Sequence, residues 1–237
     1  MTGTLLVSEI FGPTFQGEGP HTGRHTSFLR LGLCNLDCAW CDTPFTWDWS
    51  GKNGPPQDRS ALERLTVEQV VERVEAIPYR RNLVITGGEP LVQQTALVPL
   101  VHQLWNLGYT IEVETNGTLA PDQGLLGMVW WNVSPKLPHS GVPLERAWKP
   151  DLLHAWWLSE TTGMAFKFVV QSPEDVELVA DLVEQADLPA DQVWIMPEGR
   201  RPVTLVGRQA CAERALELGF NYTGRLHVML WGDVRGR

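Results

Sequence analysis

The chain has 237 residues, 43% hydrophobic and 20% charged, enough for one sizeable α/β core and unlike the composition of a disordered protein. Nineteen basic against 28 acidic residues give a net charge of −9, which lacks the electropositive footprint of a nucleic-acid binder and favours a small-molecule substrate. No apolar run approaches the ~20 residues that span a bilayer, and residues 1–12 lack a charged start followed by a long apolar stretch, so a cytoplasmic protein with no membrane partner is expected.

Strand-like and helix-like runs alternate along the chain. Residues 26–33 (TSFLRLGL) read as a strand, and a cysteine-rich loop follows directly. Thr66 opens a helix with Gln69 in capping-box position, and Val67, Val70, Val71 and Val74 recur at helical spacing. Residues 82–86 form a short β-branched strand ending in Gly87-Gly88, and residues 96–107 a second helix stopped by Gly108. Further strands are expected over 109–114, 129–133, 164–170 and 193–196, with an amphipathic helix over 174–184 and another over 203–219 after Pro202. Residues 44–60 and 138–162 read as irregular covering segments rich in Gly, Pro and Trp. The tryptophans Trp148, Trp156 and Trp157 fit core or subunit-contact positions better than exposed ones.

Such alternation implies right-handed βαβ crossovers and a parallel sheet. About six units predict an open, partial (β/α)6-type barrel in a single domain, with its site at the C-terminal ends of the strands.

The loop Cys34-Asn35-Leu36-Asp37-Cys38-Ala39-Trp40-Cys41 sets three thiols at Cys-x3-Cys-x2-Cys spacing. In a reducing compartment, clustered thiols read as metal ligands rather than disulfides. A structural zinc site needs four protein ligands, the fourth borrowed from elsewhere, such as His21, His25 or Cys211; a 4Fe-4S cube offers four iron corners, of which three thiolates leave one open. Cys211, in an expected helix, reads as a small buried hydrophobe.

The spacing is that of the radical S-adenosylmethionine superfamily, which the chain resembles. Thr86-Gly87-Gly88-Glu89-Pro90, Glu114-Thr115-Asn116-Gly117 and Ser134-Pro135-Lys136 sit where that superfamily places cofactor-binding segments, each after a strand-like run. With Phe15-Gln16-Gly17-Glu18-Gly19, Phe28-Leu29-Arg30, Cys41-Asp42-Thr43 and Leu226-His227-x3-Trp231-Gly232, the resemblance narrows to the 7-carboxy-7-deazaguanine synthase family of queuosine biosynthesis and covers residues 11–237.

The resemblance implies a lyase that contracts the ring of 6-carboxy-5,6,7,8-tetrahydropterin with release of ammonia, a 4Fe-4S cluster on Cys34, Cys38 and Cys41, and S-adenosylmethionine on the open iron. Hydrogen leaves C6 of the pterin and is later returned, so the cofactor acts catalytically. Cofactor contacts fall on Trp40, Asp42, Gly88, Glu89, Ser134, Pro135, Lys136 and Gln171, with the Gly-Gly backbone close to the ligand and the Glu89 carboxylate turned toward it. Substrate contacts fall on Phe15, Gln16, Gly17, Glu18, Arg30, Thr86, Glu114, Asn116 and His227. Thr43 matches a Mg2+ ligand. An electron donor such as flavodoxin or ferredoxin and a homodimer are also implied.

Thr14 stands where many members have serine, and residues 233–237 extend past the last motif without an assigned role. An activase of glycyl-radical enzymes shares the cysteine spacing but acts on a protein backbone. A structural zinc protein is the non-enzymatic competitor.

Overall fold

The computed structural model describes residues 3–78, 81–160, 162–206 and 208–236. Strand β1 (Thr4–Phe15) leads into β2 (His25–Leu31), whose end opens the cysteine loop; β3 (Glu63–Thr66) and helix α1 (Val67–Glu75) follow. Then come β4 (Asn82–Gly87), α2 (Gln94–Asn106), β5 (Thr110–Thr115), β6 (Trp130–Val133), α3 (Leu144–Ala147), α4 (Pro150–Ser159), β7 (Met164–Val170) and α5 (Pro173–Gln185). The chain closes with β8 (Val193–Pro197), α6 (Pro202–Val206), α7 (Gln209–Glu217), β9 (Asn221–Tyr222) and α8 (Leu226–Trp231).

Among the described residues, nine strands form one sheet ordered β3-β1-β2-β4-β5-β6-β7-β8-β9. From β2 through β9 every neighbouring pair is parallel, whereas β1 runs antiparallel to both β2 and β3. The two edge strands β3 and β9 do not meet, so the barrel is open, as the alternation predicted.

The antiparallel start is a correction, since no strand was expected before residue 26. Its apolar alternation is broken by Ser8-Glu9 and by Gly12-Pro13, a turn signal in sequence, and both places coincide with register shifts against β2. The segment 138–162 is also more regular than expected, because α4 occupies ten of its residues. Pro150 at the first helical position starts that helix where composition alone suggested a loop. The single helix expected over 203–219 is two, α6 and α7, with Gly207, a poor helix-interior residue outside the described set, between them.

Local signals elsewhere hold in detail. The Thr66 hydroxyl accepts from Gln69 N at 3.3 Å while the Gln69 amide oxygen accepts from Thr66 N at 2.9 Å, closing the capping box of α1. Leu97, Leu100, Val101 and Leu104 form the buried stripe of α2, and Gly108 (φ 81) ends it. Trp148 and Trp156 are buried in the core, and Trp157 packs against it.

Period-two alternation sorts each parallel strand into a helix-facing and a lumen-facing set. Leu29, Leu31, Leu83, Ile85, Ile111, Val113, Trp131, Val133, Phe166, Phe168 and Ile195 join the core, and the alternate positions Arg30, Thr86, Glu112, Glu114, Asn132 and Lys167 point into the lumen. Among the described residues, no helix is long and apolar enough to cross a membrane.

Candidate active site

The cysteine loop begins at a held corner. Leu33 carries a positive φ of 70°, unusual for a branched residue, and its N–H donates to Thr46 O at 2.8 Å. Behind the loop, Leu36 and Cys38 pack with Val142 and Ala147, and Ala39 N donates to Ser140 O at 2.8 Å, so the segment after β6 covers the loop from outside. Leu36 N donates to Cys34 Sγ at 3.5 Å and Trp47 Nε1 to Cys41 Sγ at 3.3 Å. Burial pushes the Cys34 thiol up to about 12, with the Glu89 carboxylate adding to it, and burial raises Cys38 as well. Such thiols stay protonated until a positive centre binds them, as expected of a ligand set whose charge is supplied by metal.

The loop forms one wall of a cavity of about 210 Å3. Cys34, Cys38, Cys41, Trp40, Asp42 and Thr43 line that wall, joined by Gly87 and Gly88 from the end of β4 and by Ser134 and Lys136 from beyond β6. The glycines also serve a packing purpose. A Cβ on Gly87 would lie 2.2 Å from Leu31 O and one on Gly88 2.0 Å from Leu33 O, while Gly88 N and Glu89 N donate to those same carbonyls at 3.1 and 2.8 Å. Their lack of side chains lets β4 dock on the entrance of the cysteine loop.

Three of the expected cofactor contacts do not line the cavity. Glu89 is fully buried, its carboxylate accepting from Leu91 N, Thr115 Oγ1 and Asn116 N at 2.9, 2.8 and 2.7 Å, and it ties the loops after β4 and β5 together. Pro135 stands between two lining neighbours, Ser134 and Lys136. Gln171 lies past the strand end, its N–H donating to Asp175 and its carbonyl accepting from Arg208, and Val169 lines the wall in its place. Lys136 Nζ donates to Ser134 Oγ at 2.9 Å and stands 5.8 Å from the centre of the Trp40 ring, whose Nε1 donates to His139 Nδ1 at 3.0 Å.

Every expected substrate contact lines the same cavity. Arg30 and Thr86 are register partners on β2 and β4. Arg30 Nε donates to Glu9 Oε1 at 2.7 Å, and the residue lines the cavity. Glu114 accepts from Thr86 Oγ1 at 2.7 Å and Gln16 Nε2 at 3.2 Å, and burial raises its pKa. Gln16 also donates to Glu112 Oε1 at 2.8 Å, so its amide N–H groups are used within the protein. Asn116 Nδ2 donates to Asn35 Oδ1 at 2.9 Å, tying the β5 loop to the cysteine loop. Gly17 is required where it stands, because a Cβ there would be 2.0 Å from His227 Nδ1. Burial lowers the His227 pKa, favouring neutral imidazole.

Sequence reasoning passed over two cations. Arg225 and Lys167, 8% and 4% exposed, both line the cavity and both bind Glu18, through Arg225 Nε at 2.9 Å and through Lys167 Nζ. A lysine inside the otherwise apolar run of β7 was a usable signal, whereas nothing in the local sequence marks Arg225. Burial alone would raise the Glu18 pKa, but Lys167 and Arg225 outweigh it and hold it well below the usual value.

None of His21, His25 and Cys211 lines the cavity that holds the three thiols. Among the described residues, no three His, Cys, Asp or Glu side chains gather tightly enough to grip a single ion. Three thiols spread over one wall suit the separated iron corners of a cube.

Residues 30–125 match the Radical SAM superfamily. A 7-carboxy-7-deazaguanine synthase of Pyrobaculum aerophilum is 34% identical, covering 100% of this chain and 99% of that protein. The chain belongs to the 7-carboxy-7-deazaguanine synthase family. Another family member, from Hyperthermus butylicus, is 37% identical over 95% of this chain and 92% of its own. The crystal structure of QueE from Escherichia coli matches with a TM-score of 0.71 at 26% identity, covering 94% of this chain and 95% of that one. Streptococcus suis SuiB bound to S-adenosylmethionine shares the fold, with a TM-score of 0.51 at 14% identity over 86% of this chain and 53% of that one. Membership of this family implies a 4Fe-4S cluster and S-adenosylmethionine, and the three-thiol wall fits that pair.

Proposed function

We propose that the chain converts 6-carboxy-5,6,7,8-tetrahydropterin to 7-carboxy-7-deazaguanine with release of ammonia. One observation carries the reading: a single cavity joins a wall of three thiols to a polar lumen of Arg30, Thr86, Glu18 and Glu114, a set suited to a small carboxylated heterocycle rather than to a polypeptide backbone.

Cys34, Cys38 and Cys41 would hold the cluster, with Trp40, Asp42, Gly88, Ser134 and Lys136 around the cofactor. When bound, cluster and cofactor together supply the one-electron chemistry that removes hydrogen from the substrate. The remaining work is done by the protein's own side chains. The terminal nitrogens of Arg30 face the substrate carboxylate as a fork, with Glu9 fixing the rotation of the guanidinium. Glu18, kept ionised by its two cations, is a fixed acceptor for substrate N–H groups. Glu114 is held at the substrate edge by Thr86 and Gln16. Thr43 lines the cavity and offers one hydroxyl, 3.6 Å from Cys41 Sγ. A Mg2+ there would take its other oxygens from substrate and water, which is how that ion is commonly held.

An external one-electron donor such as flavodoxin or ferredoxin, a homodimer and a cytoplasmic location complete the reading. The test uses substrate deuterated at C6 with reduced, Mg2+-replete enzyme. Deuterium is expected in S-adenosylmethionine during turnover, and Thr43→Val is expected to slow product formation while cluster content stays intact. No product and no label in the cofactor would overturn the assignment.

A further inference from the structure

Arg225 immediately precedes α8, and all three of its guanidinium nitrogens are used. Nε donates to Glu18 Oε1 at 2.9 Å, Nη1 to Gly199 O at 3.0 Å, and Nη2 to Asp42 Oδ2. The second oxygen of Glu18 is taken by Lys167. Glu18 belongs to the loop after β1 on the substrate side, and Asp42 is the residue after Cys41 on the cofactor side. One planar group thus joins segments 207 and 183 residues away from it in sequence. The Asp42 side chain is 40% exposed against 10% for Arg225 and lines the cavity, so Asp42 is the member of the pair that a ligand reaches.

We propose that Arg225 is a positioning residue that couples the two halves of the cavity, so that S-adenosylmethionine and the pterin bind with positive cooperativity; the inference rests on the functional reading above. A guanidinium holds two carboxylates at a fixed mutual angle, which an ammonium cannot do. Ordering of the cysteine loop by the cofactor fixes Asp42, which fixes the plane of Arg225 and with it the Glu18 carboxylate. By linkage, the substrate returns the same factor to the cofactor. Arg225 acts on the reaction only through Glu18 and Asp42.

The experiment uses the full chain, anaerobically reconstituted and left without reductant, so that no turnover occurs. Calorimetry measures the Kd of 6-carboxytetrahydropterin with and without saturating S-adenosylmethionine. In the wild type the cofactor should tighten pterin binding by roughly tenfold, within the usual range of such couplings. Arg225→Lys, which keeps the charge but loses the fork, should reduce that ratio to less than about twofold at unchanged iron content. Asp42→Asn, which weakens the arm to Arg225 and is titrated with S-adenosylmethionine saturating for that variant so that its own cofactor contact is separated from the coupling, should do the same and decides the matter if Arg225→Lys does not fold. A wild type that binds the pterin equally well with and without cofactor, or variants that keep the full ratio, would overturn the inference while leaving the functional reading intact. A wild type that binds no pterin in either condition would overturn both.

Discussion

Cys34, Cys38 and Cys41 line one cavity, whereas Cys211 is buried in α7 against the core at 1% exposure. Replacing any of the first three with alanine should remove most of the iron from anaerobically reconstituted protein, and Cys211→Ala should remove none, as iron and sulfide analysis would show. Equal iron loss in the Cys211 variant would refute the ligand set. Other motif residues spend their hydrogen bonds within the protein. Glu89 and Gln16 belong to the most recognisable runs of the chain, yet their polar atoms are taken up by Asn116 and Leu91 in the first case and by Glu112 and Glu114 in the second. A motif marks the residues a site needs without saying which of them face the ligand, because a buried carboxylate or amide must first satisfy its own hydrogen bonds.

The junction of β4 with the cysteine loop is the element on which the site depends. Gly88→Ala would place a Cβ 2.0 Å from Leu33 O, a backbone atom that cannot rotate away, so the entrance of the loop must shift. Reduced iron retention and weaker S-adenosylmethionine binding are expected with the sheet preserved, measured as iron per chain, cofactor Kd and far-ultraviolet circular dichroism. Unchanged iron and cofactor affinity would show that the contact is dispensable. Elements with strong local signals, such as α1 with its capping box and α2 with its buried stripe and glycine stop, appear where the sequence places them. Strand β1 and helix α4 were missed because their formation depends on neighbours: β1 is held between β2 and β3, and α4 buries Leu153 and Trp156 in the shared core.

Across the whole molecule, the ion pairs of the lumen should be visible in stability. Glu18 binds a proton less readily in the folded chain than in the unfolded one, where the ordinary value of 4.5 applies. Its contribution is therefore whole above that value and is lost as the pH falls through the lower folded one. Urea unfolding of the unreconstituted chain between pH 6 and 3 should show a steeper acid loss for wild type than for Glu18→Gln. Parallel curves would mean that the pairing with Lys167 and Arg225 contributes nothing to folding. The alternation of strands and helices by itself determined the open parallel sheet, and the cysteine spacing with the Gly-Gly-Glu-Pro and Ser-Pro-Lys runs determined where on the sheet the chemistry lies, since both are local patterns of period or spacing. Only the tertiary structure decided that Arg225 and Lys167 converge on Glu18, that Glu89 points inward, and that an antiparallel strand carries the substrate loop. Each of these is a contact or pairing between segments distant in sequence, and no local pattern encodes such partners.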